Sequence, residues 1–255
     1  MNPPVLDWRG RRVWIIGAST GIGAATAQHL LSLGARVALS ARNEAALQQL
    51  ATGHAEALVL PLDVTDHTQL LHARDRLLAA WQGVDLVLLV AGVYREMRAD
   101  AMDLNAIEQM LDVNLRSVFH AIHAVVPTLL AQESGGIGIV SSVAGFRGLP
   151  RALGYGPTKA ALINLAETLY LDLHPQGIGV YLINPGFVDT PATKQNDFEM
   201  PALISANEAA VQMVRGIERG EFHIHFPRRF TNSLRFARLL PYRLYFWLIH
   251  KVTGL

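Results

Sequence analysis

Six short runs of apolar residues recur along the chain and predict buried β-strands. Nearly every position within them is apolar, which is typical of strands that are covered on both faces. The runs lie at residues 12–16, 35–40, 57–62, 85–90, 136–140 and 179–183. Residues 221–226 instead alternate apolar and polar side chains, and they predict a seventh strand at an edge of the sheet.

The segments between these runs repeat apolar residues with helical spacing. Helices are predicted over residues 24–31, 43–50, 67–81 and 105–132, and another begins close to residue 155 and ends near residue 173. Strand and helix therefore alternate from about residue 10 to residue 226 without a linker. This alternation predicts an α/β fold in one domain of residues 1–255, with a doubly wound, mostly parallel seven-stranded sheet and helices on both faces.

Composition narrows the class of protein. The chain of 255 residues is 51% hydrophobic and 17% charged, which indicates a globular protein, and it has no cysteine for disulfides or thiolate metal sites. His223 and His225 share a strand face but have no third ligand nearby in the sequence, so no metal site is predicted. No uninterrupted apolar run reaches the ~18 residues of a spanning helix, and the expected location is the cytoplasm.

Residues 227–255 form a tail of different character. Arginines are mixed with aromatic and aliphatic residues, and Pro241 divides the segment into two short amphipathic helices. All six charged residues after Glu221 are basic, so the tail carries +6 and residues 1–221 carry −5. This composition suits peripheral contact with an anionic membrane. Packing on a neighbouring subunit or covering a cleft are the alternatives, whereas a nucleic-acid surface would be less apolar.

A glycine-rich loop follows the first strand. Residues 17–23 read GASTGIG and lead directly into the first helix. A strand, a glycine turn and a helix N-terminus together let backbone N–H groups approach a pyrophosphate. The spacing is G-x-x-x-G-x-G, and a glycine turn that binds no ligand is the alternative.

The end of the second strand bears on the choice of dinucleotide. An acidic residue at this place would hold the 2′-hydroxyl of the NAD ribose, but the chain has Ala41 and Arg42 there. Arginine can pair with a 2′-phosphate, so NADP(H) is favoured over NAD(H). The alternative is that Arg42 is a solvated loop residue.

Tyr155 and Lys159 are the leading candidates for chemistry. Residues four apart on a helix share one face, and a cation beside a phenol favours the phenolate and lowers its pKa. A tyrosine of this kind can transfer a proton to or from a carbonyl or alcohol oxygen. Ser142 follows the fifth strand and precedes the Tyr155 helix by a short loop, so we expect the two side chains to lie together. Taken alone, the pair is also compatible with an ordinary helix face.

These motifs in this order resemble the short-chain dehydrogenase/reductase family, whose fold is Rossmann-like. The resemblance covers about residues 10–226, and it rests on GASTGIG at 17–23, DV at 63–64, AG at 91–92, Asn114, SSVAG at 141–145, YGPTK at 155–159 and NPGFVDT at 184–190.

The resemblance implies a role for each catalytic residue. Tyr155 would be the general acid/base, and Lys159 would lower its pKa and bind the nicotinamide ribose. Ser142 would hold the reacting oxygen, and Asn114 would position a water that passes protons towards Lys159. The cofactor would contact the residues that follow the strands, together with Tyr155 and Lys159: Gly17, Ser19, Thr20, Gly21, Ile22, Gly23, Arg42, Asp63, Val64, Ala91, Gly92, Pro185, Gly186, Val188 and Thr190.

The residues expected around the reacting groups are mostly apolar and favour a lipophilic carbonyl or alcohol, in contact with Ser142 and Tyr155 together with Tyr94, Phe146 and Phe187. Residues 191–204 lack clear periodicity and predict a mobile lid over the site. The resemblance implies that the 105–132 and Tyr155 helices pair subunits into a homodimer or homotetramer. The alternative function is a non-catalytic NADP-binding module, or a membrane-recruited scaffold that retains the fold.

Overall fold

A parallel sheet forms the centre of the molecule. The computed structural model describes residues 1–195 and 198–254. Its strands are β1 (Arg12–Ile16), β2 (Arg36–Ser40), β3 (Ala57–Val59), β4 (Leu86–Leu89), β5 (Gly136–Val140), β6 (Gly179–Pro185), β7 (Val188–Asp189), β8 (Ile204–Ser205) and β9 (His223–Phe226). Seven of them form one parallel sheet in the order β3-β2-β1-β4-β5-β6-β9, and β7 and β8 form a separate parallel pair.

Helices cover both faces of the sheet. They are α1 (Gly21–Ser32), α2 (Glu44–Ala51), α3 (His67–Trp81), α4 (Leu104–Leu111), α5 (Ser117–Gln132), α6 (Tyr155–Leu173), α7 (Ala206–Glu218), α8 (Arg228–Arg238) and α9 (Tyr242–Thr253). Trp14 of β1 lies in the core beneath α3, α5 and α6, whereas its neighbour Ile15 lies in the opposite core beneath α1 and α7. Successive strand residues point to opposite faces, so the apolar runs supply both cores and the predicted doubly wound fold is confirmed.

The predicted strand limits are accurate to a few residues. The largest error is at β3, which ends at Val59, whereas the prediction extended to residue 62. Errors of two residues occur at β6, which continues to Pro185, and at β9, which begins at His223 and not at residue 221. Leu60 and Leu62 are buried although they lie beyond β3, because they follow the sheet edge into the next loop. At β3 the hydrophobic pattern therefore predicted burial correctly but overestimated the length of the strand.

The predicted helix over residues 105–132 contains an interruption. A π-helical turn, Asp112–Arg116, joins α4 to α5 and carries the fully buried Asn114. The run Leu104–Gln132 is long and apolar enough to cross a membrane by length and composition. However, Val118 and Leu129 of its inner face are buried in the core with α3 and α6, as in the core helix of a globular fold.

The first residues of the chain are fastened to the far side of the sheet. The Asn2 side chain is buried and replaces a strand neighbour for Val180, because its amide donates to the Val180 carbonyl (2.7 Å) and accepts from the Val180 N–H (2.9 Å). The Asn2 N–H also donates to the carbonyl of Gly220, after α7. β9 begins opposite Leu182, so Asn2 occupies the part of the β6 edge that β9 does not reach.

The tail forms the two predicted helices, α8 and α9, separated by Pro241. Arg147, from the loop between β5 and α6, fastens them to the body of the protein. Its Nη1 lies within hydrogen-bond distance of the Ala237, Arg238 and Leu240 carbonyls, and its guanidinium lies over the ring of Tyr245. Because Arg147 is five residues from Ser142, the tail is held by the same loop that carries a candidate catalytic residue.

Candidate active site

One cavity of about 1370 Å³ lies at the carboxyl ends of the strands. All residues predicted to bind the cofactor line it: Gly17, Ser19, Thr20, Gly21, Ile22, Gly23, Arg42, Asp63, Val64, Ala91, Gly92, Tyr155, Lys159, Pro185, Gly186, Val188 and Thr190. Ser142, Tyr94 and Phe187 line the same cavity. The convergence follows from the parallel topology, which brings every strand end to one edge of the sheet.

Tyr155 and Lys159 stand on adjacent turns of α6. The helix begins at Tyr155, so Pro157 falls in the first turn, where its missing N–H breaks no helical hydrogen bond. The Lys159 side chain is almost fully buried, and its Nζ donates to the Val140 carbonyl (3.0 Å). Nζ lies 5.5 Å from the centre of the Tyr155 ring. The predicted phenol–ammonium pair is therefore present.

Burial dominates the titration of this pair. It raises the pKa of Tyr155 to about 12, although a hydrogen bond with Ser142 acts in the opposite direction. Burial likewise lowers the pKa of Lys159 to about 8. The expected lowering of the Tyr155 pKa is therefore not found in this cavity, because desolvation of the phenolate outweighs the hydrogen bond from Ser142.

Two adjacent serines in the loop after β5 make different contacts. The Ser141 side chain is buried and donates to the Lys159 carbonyl (2.7 Å), which ties the loop to α6. The Ser142 side chain faces the cavity, accepts from the Ala144 N–H (3.1 Å) and hydrogen-bonds Tyr155. At Gly145, an added Cβ would lie 2.6 Å from the Lys159 carbonyl carbon, so only glycine lets the loop rest on the helix at this point.

Asn114 lies beneath the cavity and does not line it. Its amide spans the Val93 backbone, accepting from the N–H (2.7 Å) and donating to the carbonyl (2.9 Å), and it also donates to Thr158 (3.2 Å). A Cβ on Gly92 would lie 3.4 Å from Asn114 Oδ1 and 3.5 Å from Lys159 Nζ. Both polar groups are therefore close to Gly92. Oδ1 keeps a second lone pair that the Val93 N–H does not use, and the predicted water contact would need it.

The glycine loop fits a phosphate-bearing ligand. Thr20 caps α1 without a side-chain hydrogen bond, so the first N–H groups of the helix are left for a ligand. A Cβ on Gly23 would lie 2.0 Å from the Gly17 carbonyl oxygen, so any residue other than glycine at position 23 would clash with the start of the loop. These features match the cradle that a pyrophosphate requires.

Arg42 follows β2 at one end of this cavity. It lies near Asp63, whose pKa is lowered chiefly by the N–H of Thr65 (2.9 Å) and further by the Arg42 charge. The residues at the end of β2 that line the cavity are Ala41, Arg42 and Asn43, and none of these three side chains is a carboxylate. Arg42 therefore brings a positive charge to this end of the cavity, where the nearby carboxylate is that of Asp63.

Aromatic residues form the rest of the wall, with one correction. Tyr94 packs edge-on against Tyr155, with ring centres 5.0 Å apart, and Phe187 packs against Phe230 of α8. Phe146 was predicted to contact the substrate, but it is 7% exposed, belongs to the core and does not line the cavity. Its ring contacts His223 of β9, because the loop turns inward at this residue.

The sequence did not assign tail residues to the cavity wall, but Leu234 of α8 and Ile249 and Val252 of α9 line it. The tail therefore lines part of the cavity, which agrees in part with the alternative that it covers a cleft. The predicted lid at residues 191–204 follows β7 and ends at β8, and these two strands pair with each other. Residues 196 and 197 of that segment lie outside the described residues.

Fold and cavity together define a dinucleotide-binding oxidoreductase. A family model described as short chain dehydrogenase matches residues 11–200, and the chain belongs to the short-chain dehydrogenase/reductase family. An uncharacterized oxidoreductase of Myxococcus xanthus is 34% identical over 239 residues, which is 92% of this chain and 94% of the relative. An uncharacterized oxidoreductase of Staphylococcus epidermidis is 33% identical over 201 residues, 78% of this chain and 87% of the relative.

A solved structure shows the same architecture. A short chain dehydrogenase/reductase from Burkholderia phymatum, crystallised in complex with NAD, superposes with a TM-score of 0.83 at 25% identity. The superposition covers 91% of this chain and 94% of the Burkholderia chain.

Proposed function

We propose that the protein is an NADP(H)-dependent oxidoreductase that interconverts a carbonyl and an alcohol on a lipophilic small molecule. One observation carries the proposal. Ser142, Tyr155 and Lys159 meet in the cavity whose other end is the glycine cradle at the start of α1. A protein that only binds a dinucleotide has no need for a buried phenol beside a buried ammonium group.

The side chains support a specific division of labour. When bound, the nicotinamide supplies or accepts the hydride. Ser142 donates a hydrogen bond to the substrate oxygen, on which charge develops. Tyr155, with its pKa of about 12, holds its proton at neutral pH and can give it to that oxygen during reduction.

The reverse reaction needs the Tyr155 phenolate. Lys159 favours that anion through its positive charge, since its Nζ lies 5.5 Å from the phenol ring. We assign the return of protons to Lys159 and Asn114, whose polar atoms both lie within 3.5 Å of the position that a Cβ on Gly92 would occupy.

NADP(H) is preferred because of the charge at the end of β2. Arg42 lines the cavity there, and a guanidinium group pairs well with a 2′-phosphate. The Burkholderia relative was crystallised with NAD. Because that relative holds NAD, the argument that this chain prefers NADP(H) depends on Arg42 alone.

We expect Arg42→Ala to weaken NADPH binding by about 10- to 100-fold, since a hydrogen bond to a charged group contributes about 1.5–3 kcal/mol. NADH has no 2′-phosphate, so its affinity should change less than about threefold. Fluorescence titration with both dinucleotides measures the two effects. Arg76→Ala, an exposed arginine on α3, is the control. Equal losses for NADPH and NADH would refute the assigned role of Arg42.

A substrate panel tests the activity itself. NADPH oxidation is followed with ketones and aldehydes graded by chain length and ring size. We expect kcat/KM to rise with apolar size, because Tyr94, Phe187 and Phe230 contribute aromatic surface to the cavity. Absence of turnover with every carbonyl, while NADPH binds, would favour the non-catalytic binding module instead.

We also infer a homodimer or homotetramer built through the α4–α5 and α6 helices. Apolar side chains on their outer faces support this arrangement. Phe119 is 50% exposed and Leu171 is 73% exposed, and a subunit interface would cover such groups.

A further inference from the structure

The outer face of α9 combines exposed aromatic rings with positive charge. We define this outer face as Tyr242, Arg243, Phe246, Trp247 and Lys251. The two pairs Tyr242–Phe246 and Arg243–Trp247 are each four residues apart, as is Lys251 from Trp247, so they form adjacent stripes on the helix. Phe246 and Trp247 are 54% and 59% exposed, and Tyr242 stacks on Phe246. Lys251 Nζ lies 5.0 Å from the centre of the Trp247 ring.

The opposite side of the same helix faces the active site. Tyr245 is buried and its hydroxyl donates to the Gly148 carbonyl (2.7 Å), in the loop that carries Ser142. Ile249 and Val252 line the cavity. α9 therefore separates the catalytic cavity from whatever covers its outer face.

Charge indicates what kind of partner the outer face fits. The six basic residues after Glu221 have no acidic residue among them in the sequence. Two copies that met through this surface would place like charges together, which opposes a symmetric contact. An anionic surface would instead be attracted to Arg243 and Lys251, and aromatic rings are favoured at the boundary between lipid headgroups and acyl chains.

Length indicates how the helix would meet a bilayer. α9 has 12 residues and so spans about 18 Å, which is shorter than the ~30 Å hydrocarbon core. Such a helix lies in the plane of the interface and does not cross it. Phe236 and Leu239, at the end of the preceding helix α8, are also exposed apolar residues.

We propose that the outer face of α9 docks on an anionic lipid bilayer, so that the catalytic cavity opens beside the membrane surface. A lipophilic carbonyl dissolved in the bilayer would then enter past Ile249 and Val252. This second half rests on the proposed oxidoreductase activity, whereas the docking itself does not.

Co-sedimentation of the full chain with vesicles tests the docking. Vesicles of equal parts phosphatidylglycerol and phosphatidylcholine are compared with pure phosphatidylcholine. We expect binding to the anionic vesicles alone, weakened roughly 30-fold in the variant Arg243→Ala/Lys251→Ala, since each basic residue near an anionic surface contributes about a fivefold factor. Phe246→Ala/Trp247→Ala should also weaken binding, because the aromatic anchors are lost. Arg11→Ala/Arg76→Ala removes two exposed charges elsewhere and should bind as the wild type does.

Independent readouts separate docking from activity and from assembly. Turnover of a water-soluble carbonyl without vesicles should be unchanged in the α9 variants, because their substituted residues do not line the cavity. Equal sedimentation of the wild type with and without anionic vesicles would overturn the proposal. So would a change in solution mass of the α9 variants without lipid, which would identify the outer face as an interface between copies. Loss of turnover in Tyr155→Phe with lipid binding retained would support both proposals separately.

Discussion

Tyr155→Phe is expected to lower kcat/KM by about 10²- to 10⁴-fold while NADPH still binds. The hydroxyl is the proton donor in the proposed reaction, and general acid catalysis contributes a factor of this size. The phenyl ring keeps the edge-on packing against Tyr94, so the cavity wall should survive the change. Removal of the hydroxyl also relieves the cost of its burial, so the fold should lose little stability.

Steady-state kinetics on the best carbonyl of the panel, with NADPH titration in parallel, measure the Tyr155→Phe effect. The matched control is Tyr170→Phe on the same helix, whose ring packs against His174 and Phe222 outside the cavity. The control should retain turnover within about twofold. Comparable activity of Tyr155→Phe and the wild type would remove Tyr155 from the mechanism.

Gly23→Ala should disrupt both the cofactor cradle and the fold around it. The added methyl group would lie 2.0 Å from the Gly17 carbonyl oxygen, a backbone atom that no rotamer change can move. Overpacking of this kind costs about 1–3 kcal/mol or more, and the strain falls on the loop whose N–H groups would bind the pyrophosphate. We therefore expect NADPH affinity to fall by about 100-fold and the unfolding free energy to fall by about 3 kcal/mol.

Urea unfolding and NADPH titration report the two effects of Gly23→Ala. Gly148→Ala is the control, because nothing lies within 4 Å of the position its Cβ would occupy. The control should unfold and bind as the wild type does. If Gly23→Ala matched it in both measurements, the tight closure of residues 17–23 would not be needed for the cradle.

Sequence patterns predicted those parts of the site that follow from strand ends. In a parallel sheet, every strand delivers its next residues to the same edge, so Gly17, Asp63, Ser142 and Pro185 could be brought together without knowledge of side-chain positions. The spacing of four residues on a helix likewise predicted that Lys159 lies one turn from Tyr155. Local periodicity and topology were sufficient for these residues.

Side-chain environment was less accessible to prediction. The spacing of Tyr155 and Lys159 shows that a cation is near the phenol, but it does not show that both groups are buried, and burial decides the direction of both pKa shifts. Phe146 follows the motif that carries Ser142, yet its ring turns into the core. A sequence motif shows where a residue lies along the chain, whereas the direction of its side chain depends on the local path of the backbone.

Contacts between distant parts of the chain left no sequence signal. Arg147 meets carbonyls about 90 residues further on, and the π-helical turn at Asn114 has the same apolar pattern as the helix around it. The cavity-lining role of Ile249 depends on where Arg147 and Tyr245 hold the tail. Such contacts are set by tertiary packing, which a single sequence does not encode in any local period.

The Asn2–Val180 contact has a consequence for the solubility of the protein. Val180 lies on the stretch of β6 that β9 leaves uncovered, and an uncovered strand edge offers its N–H and carbonyl groups to any other extended chain. The Asn2 amide occupies both groups at once, as an edge strand would, but it cannot propagate the ladder to a further strand. Asn2 thus protects this part of the sheet edge from pairing with a strand of another molecule.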